Sequence, residues 1–214
     1  METDQLIDRL SAELSPAPSA QVPRRIGAVA LLGGAVALGL VILWLGLRAD
    51  LMDAMHGPML WIKASYAALL GLAGYLALER LARPASSGRV GLMLAGAILL
   101  ALLGAGTLQL MATAPEARMA LWMGQSAGMC PLRILLLALP VLAAALLTVR
   151  RLAPTRLAMA GTAAGLFAGG VAATAYSLSC GETSVAFLST WYTLGVLLST
   201  GLGAALGPWV LRWR

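Results

Sequence analysis

Residues 157–177 read LAMAGTAAGLFAGGVAATAYS, an apolar stretch without a charged side chain. A helix rises about 1.5 Å per residue, so about 20 helical residues cross the roughly 30 Å hydrocarbon core of a bilayer. The stretch is therefore predicted to be a membrane-spanning helix. Within it, Gly161, Gly165 and Gly169 recur every four residues. This spacing puts small residues on one helix face and is typical of close packing between membrane helices.

Five further runs along the chain have the same character. With the first, the predicted spans are 26–47, 59–78, 90–112, 134–149, 157–177 and 189–211. The run 134–149 is short, so we expect its helix to begin near Pro131, because proline is tolerated in a first helical turn. Of the 214 residues, 60% are hydrophobic and 11% charged, which excludes a water-soluble domain. The sequence predicts an all-α polytopic membrane protein with six transmembrane helices.

Basic residues at the ends of the spans predict the orientation. Eleven of the 15 Lys and Arg residues lie in the N-terminal segment, the second and fourth connections and the C-terminus. Positive charge is retained on the cytoplasmic side, so both termini are predicted to be cytoplasmic, in a bacterial inner membrane. Trp61, Trp122 and Trp191 then mark the outer interface. The net charge of +6 is explained by these span ends, so no direct contact with nucleic acid is expected.

Two domains follow from this layout: a cytoplasmic segment, 1–25, and a six-helix transmembrane domain, 26–214. Few charges interrupt the spans, which disfavours a transport pathway. Lys63 lies about one turn inside the second span and is expected to extend outward to the interface, and Glu79 is expected to form an interfacial pair with Arg80. The lone His56 and the lack of a catalytic grouping predict that the chain is not an enzyme.

Cys130 and Cys180 are the clearest candidates for residues that carry out chemistry. Cys130 precedes the fourth span and Cys180 follows the fifth, and the short connection 150–156 makes these spans an antiparallel hairpin. Both thiols are thus expected at the outer end, at heights that differ by only about 6 Å. One interpretation is a static disulfide. The other is a sensor that is oxidised or binds a soft metal ion, with Glu182 as a candidate co-ligand.

The N-terminal segment has the pattern of an acidic amphipathic helix. Thr3 or Asp4 is placed to cap it, and apolar residues then follow on one side. These apolar residues are Leu6, Ile7, Leu10 and Leu14. Surface helices on anionic membranes are normally basic, so this helix is instead expected to dock into a groove of a basic soluble partner. A frayed tail without function is the alternative interpretation.

Several short motifs are distributed along the chain. They are the opening Thr3–Leu10, Gly124-Gln125-Ser126 before Cys130, Leu152-Ala153-Pro154-Thr155, and above all the stretch 176–195 with Cys180, Glu182, Ser184, Phe187, Trp191, Tyr192 and Gly195. Together they resemble the motifs of the NrsF-like six-helix anti-sigma factors. The resemblance covers nearly the whole chain and is strongest in its last third. Ser179 departs from the pattern, because members of the family often have histidine there.

The resemblance implies a membrane-embedded anti-sigma factor. Its N-terminal segment would hold an extracytoplasmic-function sigma factor through Thr3, Asp4, Leu6, Ile7, Leu10 and Leu14. Cys130 and Cys180 would respond to heavy metals or oxidants and so release the sigma factor. The resemblance implies no constitutive cofactor, only a regulatory heavy-metal ion. The alternative from another class is a small six-helix transporter or channel with a structural periplasmic disulfide.

Overall fold

The computed structural model describes Thr3, Gln5, Ala12 and residues 21–83, 86–152 and 154–212. Within these residues the fold is entirely helical. Six helices are long and apolar enough to cross a membrane, which confirms the predicted fold class. The orientation of the bundle, with both termini in the cytoplasm, stays a prediction.

Eight helices, α1 to α8, follow one another along the described chain. They are α1 (Gln21–Leu40, continued by a π-helical turn Val41–Leu45), α2 (Leu51–His56), α3 (Pro58–Leu81), α4 (Arg89–Ala112), α5 (Pro115–Met123), α6 (Cys130–Arg150), α7 (Leu157–Tyr176) and α8 (Val185–Val210). A second π-helical turn, Leu188–Tyr192, lies inside α8. The short helices α2 and α5 lie in connections between spans.

The observed spans agree with the predicted ones to within a few residues. The largest differences are at the starts of α1, α6 and α8, where the spans begin at Val22, Cys130 and Val185, each four residues before the predicted runs. As expected, Pro131 lies in the first turn of α6. Ser184 caps the start of α8, where its Oγ accepts a hydrogen bond from Phe187 N at 3.2 Å.

Helix α7 is the centre of the bundle. It packs against α8, α3, α6 and α1, and 67% of its span is buried, whereas only 17% of the α4 span is buried. A Cβ added at Gly161 or Gly165 would overlap the backbone of α8, and one added at Gly169 would overlap Ser199 Oγ. These three residues therefore form the small face predicted from the sequence. Gly170 faces the other way and abuts Gly71 of α3.

An ion pair lies at the end of α3, between Glu79 in its last turn and Arg83 just after it. Arg83 Nη2 donates to Glu79 Oε1 at 2.7 Å. The expected pairing of Glu79 with Arg80 is therefore wrong. Residues four apart in a helix lie on the same face, whereas adjacent residues point about 100° apart, so Arg83 is the geometrically matched partner.

Candidate functional site

Cys130 and Cys180 lie side by side at one end of the bundle. Cys130 begins α6, and its N–H donates to Ser126 O at 2.8 Å. Cys180 follows α7, and its N–H donates to Tyr176 O at 3.1 Å. Both cysteines are free and buried, and the Cys130 thiol donates a hydrogen bond to the Cys180 sulfur. The hairpin of α6 and α7 thus brings together the two residues selected from the sequence.

The surroundings of Cys180 favour its thiolate. The hydrogen bond from Cys130 is the main cause that lowers the pKa of Cys180 to about 6, and the positive charge of Lys63 and the N–H of Glu182 act in the same direction. Burial acts against them, because it disfavours the charged form. Of the two sulfurs, Cys180 is therefore the one whose surroundings favour the deprotonated, more nucleophilic form.

Lys63 forms the buried cation of this site. Its side chain is only 1% exposed, and Nζ donates to Cys180 O at 2.6 Å and to Glu182 O at 2.9 Å. The expectation that Lys63 extends outward is wrong, because the segment after α7 folds over α3 and offers it two carbonyl acceptors. The signal was present in the sequence: an ionisable residue within a membrane span is a functional candidate by default.

Arg48 also donates hydrogen bonds to the segment after α7. Its N–H donates to Leu178 O at 3.2 Å, and its Nη1 donates to Cys180 O at 3.4 Å. Asp50 holds the guanidinium through a pair of contacts, the shorter one 2.6 Å. This hydrogen-bonded pairing raises the pKa of Arg48 and lowers that of Asp50. The Cys180 carbonyl thus accepts hydrogen bonds from two cations, Lys63 of α3 and Arg48 of the connection between α1 and α2.

Glu182 joins two connections of the bundle. Its Oε1 accepts hydrogen bonds from Gln125 N at 2.8 Å, Ser126 N at 3.0 Å and Ser126 Oγ at 2.8 Å. Gly124 precedes them with φ +54°, a left-handed conformation that favours glycine, and a Cβ added there would overlap the Glu182 carboxylate. The motif Gly124-Gln125-Ser126 therefore binds this carboxylate, through two backbone N–H groups and the Ser126 hydroxyl.

The expected role of Glu182 as a metal co-ligand is not supported by this arrangement. Within the described residues, no group of three or more His, Cys, Asp and Glu side chains is placed to hold a metal ion. The Glu182 carboxylate is engaged by the Gln125–Ser126 backbone instead. The two adjacent thiols by themselves fit a soft ion, because thiolates are the ligands that such ions prefer.

A polar cavity of about 310 Å³ lies beside Cys180 and gives the site access to small molecules. Residues from two connections and from the ends of α6 and α7 line it: Gln125, Ser126, Arg133, Tyr176, Ser179, Cys180, Gly181, Glu182 and Thr183. Ser179, the departure from the family pattern, is part of this lining. Sequence reasoning did not select Arg133, because a basic residue at a span end first indicates topology.

The aromatic residues of the stretch 176–195 pack around the thiols. Tyr176 and Tyr192 stack with ring centroids 5.9 Å apart, and Tyr192 Oη donates to Ala173 O. Trp191 Nε1 donates to Trp122 O at 3.0 Å, with the two indoles 5.3 Å apart. These contacts fix α8 against α7 and α5. The motif residues Tyr176, Tyr192 and Trp191 thus link neighbouring helices at the end of the bundle that carries Cys180.

The N-terminal segment is described at three residues only. Thr3, Gln5 and Ala12 are helical and exposed. The capping role of Thr3 or Asp4 stays a prediction, because the residues on either side of Thr3 lie outside the described ones. Asp4, Leu6, Ile7, Leu10 and Leu14 lie outside the described residues, so their role in binding a partner stays a prediction.

Comparison with known proteins identifies relatives along the entire chain. The sequence profile of a family described as NrsF, negative regulator of sigma F, matches residues 10–213. The chain is 49% identical over 215 residues to the anti-sigma-F factor NrsF of Caulobacter vibrioides (strain NA1000 / CB15N), with 100% of both chains covered. It is 35% identical over 213 residues to the probable anti-sigma-F factor NrsF of Azospira oryzae (strain ATCC BAA-33 / DSM 13638 / PS), again with 100% of both covered. No solved structure matches the chain.

Proposed function

Since the chain belongs to the NrsF family of negative regulators of sigma F, we propose that residues 1–25 bind an extracytoplasmic-function sigma factor. Family membership makes the chain an anti-sigma factor, and its partner is a sigma factor. The proposal places both termini in the cytoplasm and the thiol end in the periplasm of a bacterial inner membrane. It replaces the alternative of a small transporter or channel, because the family is regulatory.

Cys130 and Cys180 are the proposed sensor, and their contact is the observation that carries this part of the proposal. Two thiols that already touch need little rearrangement to be bridged by a metal ion or by a disulfide. The cavity beside Cys180 admits a small reagent. The hydrogen bonds of Lys63 and Glu182 hold the segment 180–182 in place. A change at the sulfurs is therefore transmitted to α6, which begins at Cys130, and to α7, which precedes Cys180.

Both inducing reactions balance with the groups at the site. The two thiols bind a soft divalent ion when Cys130 loses its proton and both sulfurs become thiolate ligands. With a peroxide, the Cys180 thiolate takes one oxygen to become a sulfenic acid, and the peroxide leaves as the corresponding alcohol after gaining a proton. The Cys130 thiol then attacks that sulfur, water leaves, and the disulfide forms.

Helix α6 is the proposed path of the signal. It begins at Cys130 and packs along α1, which leads back to the N-terminal segment. A bridge at the thiols fixes the first turn of α6 to the segment after α7, which favours one arrangement of α6 beside α1. To move a partner from 99% held to 99% released takes a differential of about 5.5 kcal/mol between the two states. Soft-metal binding to a dithiolate present in only one state supplies energy of that order.

Co-purification from detergent-solubilised membranes tests the docking segment. We expect the intact chain to recover a small sigma factor and the variant Leu6→Asp/Leu10→Asp to lose it. The matched control is Gln5→Asp/Ala12→Asp, which adds the same charge on the opposite side of the same helix. Equal loss with the control, or recovery of the sigma factor by the Leu6/Leu10 variant, would contradict docking through the apolar side.

The sensor is tested on the complex recovered in that experiment. Cadmium chloride or diamide is expected to release the sigma factor from the intact chain. The variant Cys130→Ser/Cys180→Ser should keep it bound under both treatments. Release from this double variant at the same reagent concentration would refute the role of the two thiols and leave the docking result intact.

A further inference from the structure

A basic groove opens between α1 and α6 at the end of the bundle opposite the thiols. It has a volume of about 510 Å³. Arg25 in the first turns of α1 and Arg151 just after α6 line it together with six further residues: Ala28, Val29, Leu32, Ala144, Leu147 and Thr148. The groove thus combines two cations with an otherwise mostly apolar wall.

Close contact between the two helices forms the floor of the groove. A Cβ added at Gly33 would lie 3.0 Å from Val141 Cγ1, so α1 and α6 touch there. From Arg25 to Gly33 the axis of α1 rises about 12 Å, and from Val141 to Arg151 that of α6 rises about 15 Å. The groove therefore extends about 12–15 Å from its charged mouth to its floor, a depth that matches a headgroup and the upper part of an acyl chain.

The exposed side chains of the groove face the surroundings of the bundle. Leu32 is 70% exposed and Leu147 is 57% exposed, and both lie within membrane-spanning helices, so this surface faces lipid. Arg25 and Arg151 are exposed, and neither forms an ion pair with any residue in the ranges 21–83, 86–152 and 154–212. Two such cations above an apolar wall are complementary to one phosphate followed by hydrocarbon.

We propose that the α1–α6 groove is a binding site for an anionic phospholipid, with Arg25 and Arg151 on the phosphate and Leu32 and Leu147 along an acyl chain. Thr148 adds a hydroxyl donor at the mouth. A lipid seated there contacts the two helices that connect the cysteine end to the N-terminal segment. The site is independent of the proposed sensor, because no residue of one lines the other.

Native mass spectrometry of the full chain in detergent tests the site. We expect dioleoyl-phosphatidylglycerol to bind more tightly than dioleoyl-phosphatidylcholine, which has the same acyl chains. The variant Arg25→Gln/Arg151→Gln should lose roughly 30-fold in affinity for phosphatidylglycerol, because each arginine at an anionic surface contributes about fivefold. The charge-matched control Arg89→Gln/Arg156→Gln removes two exposed arginines that do not line the groove and should change the affinity little.

Four results would overturn the proposal. They are equal binding of the two lipids by the intact chain, equal loss in the control variant, full competition by inorganic phosphate at equal concentration, and binding that appears only after Asp4→Asn/Asp8→Asn. Equal loss would mean unspecific attraction to charge, and competition by phosphate would mean a simple anion site. The last result would assign the groove to the acidic N-terminal segment of the chain itself.

Discussion

Gly165 and Gly169 of α7 face different atoms of α8. We therefore expect the variants Gly165→Ala and Gly169→Ala to respond differently when Ser199→Ala is added to each. A Cβ added at Gly165 would overlap Ser199 O and lie 2.7 Å from Thr200 Cα, both backbone atoms. One added at Gly169 would overlap Ser199 Oγ, a side-chain atom, with Val196 Cα at 3.1 Å. Backbone atoms of a packed helix move only with the helix, whereas a hydroxyl is removed by one substitution.

We therefore expect Gly165→Ala and Gly169→Ala both to destabilise the bundle, by about 1–3 kcal/mol for an overpacked contact. For a chain of this size, 1 kcal/mol shifts the melting temperature by roughly 2–4 °C, so the decrease should be about 2–12 °C. Gly201→Ala is the control, because nothing lies within 4 Å of its added Cβ. It should melt at the same temperature or slightly higher, since alanine favours the helix by up to about 1 kcal/mol.

The second substitution separates the two sites. Ser199→Ala should restore much of the stability of Gly169→Ala, because it removes the overlapping oxygen, and little of that of Gly165→Ala. The single variant Ser199→Ala is measured alongside, since its hydroxyl also donates to Gly165 O at 3.1 Å and Val196 O at 2.8 Å. Melting curves of purified protein in one detergent provide the readout. Equal rescue at both glycines, or no loss relative to Gly201→Ala, would refute this packing of α7 on α8.

Two further predictions concern the thiol site. Cys130→Ala should move the pH midpoint of Cys180 alkylation by iodoacetamide upward from about 6, because the hydrogen bond from Cys130 is the main cause that lowers the Cys180 pKa. Below this midpoint the protonated thiol reacts slowly. An unchanged midpoint would show that the contact between the two cysteines is not formed. Lys63→Met should slow formation of the Cys130–Cys180 disulfide under diamide by about tenfold or more, because charge-assisted hydrogen bonds of about 1.5–3 kcal/mol to the 180–182 segment are lost. Lys63→Arg keeps the charge and donors, so it should react at a rate closer to that of the intact chain.

Several features of the fold were predictable because they depend on composition and local spacing. Six apolar runs predicted the six helices that are long enough to cross a membrane. The repeat of Gly161, Gly165 and Gly169 predicted the face of α7 that contacts α8. The proximity of Cys130 and Cys180 followed from the short connection between α6 and α7. The family resemblance found in the motifs was confirmed by relatives that match the full chain.

The direction of Lys63 depended on contacts that local sequence does not contain. Its acceptors, Cys180 O and Glu182 O, lie 117 and 119 residues away along the chain. From hydropathy alone, an interfacial lysine lowers its energy by reaching water, and that rule gave the wrong direction. The two loop carbonyls replace water as acceptors once the segment after α7 folds over α3.

The sequence by itself determined how many helices are long and apolar enough to cross a membrane and which residues have reactive side chains. Each of these properties is set by residues near one another in the chain, because burial in lipid requires a continuous apolar helix and hydrogen bonds within it. The tertiary structure decided the partners of the polar groups: Lys63 on the loop carbonyls, Glu182 on Gln125 and Ser126, and Cys130 on the sulfur of Cys180. Such pairings depend on which distant segments meet at the end of the bundle, since a polar group removed from water takes the acceptor or donor that packing places beside it.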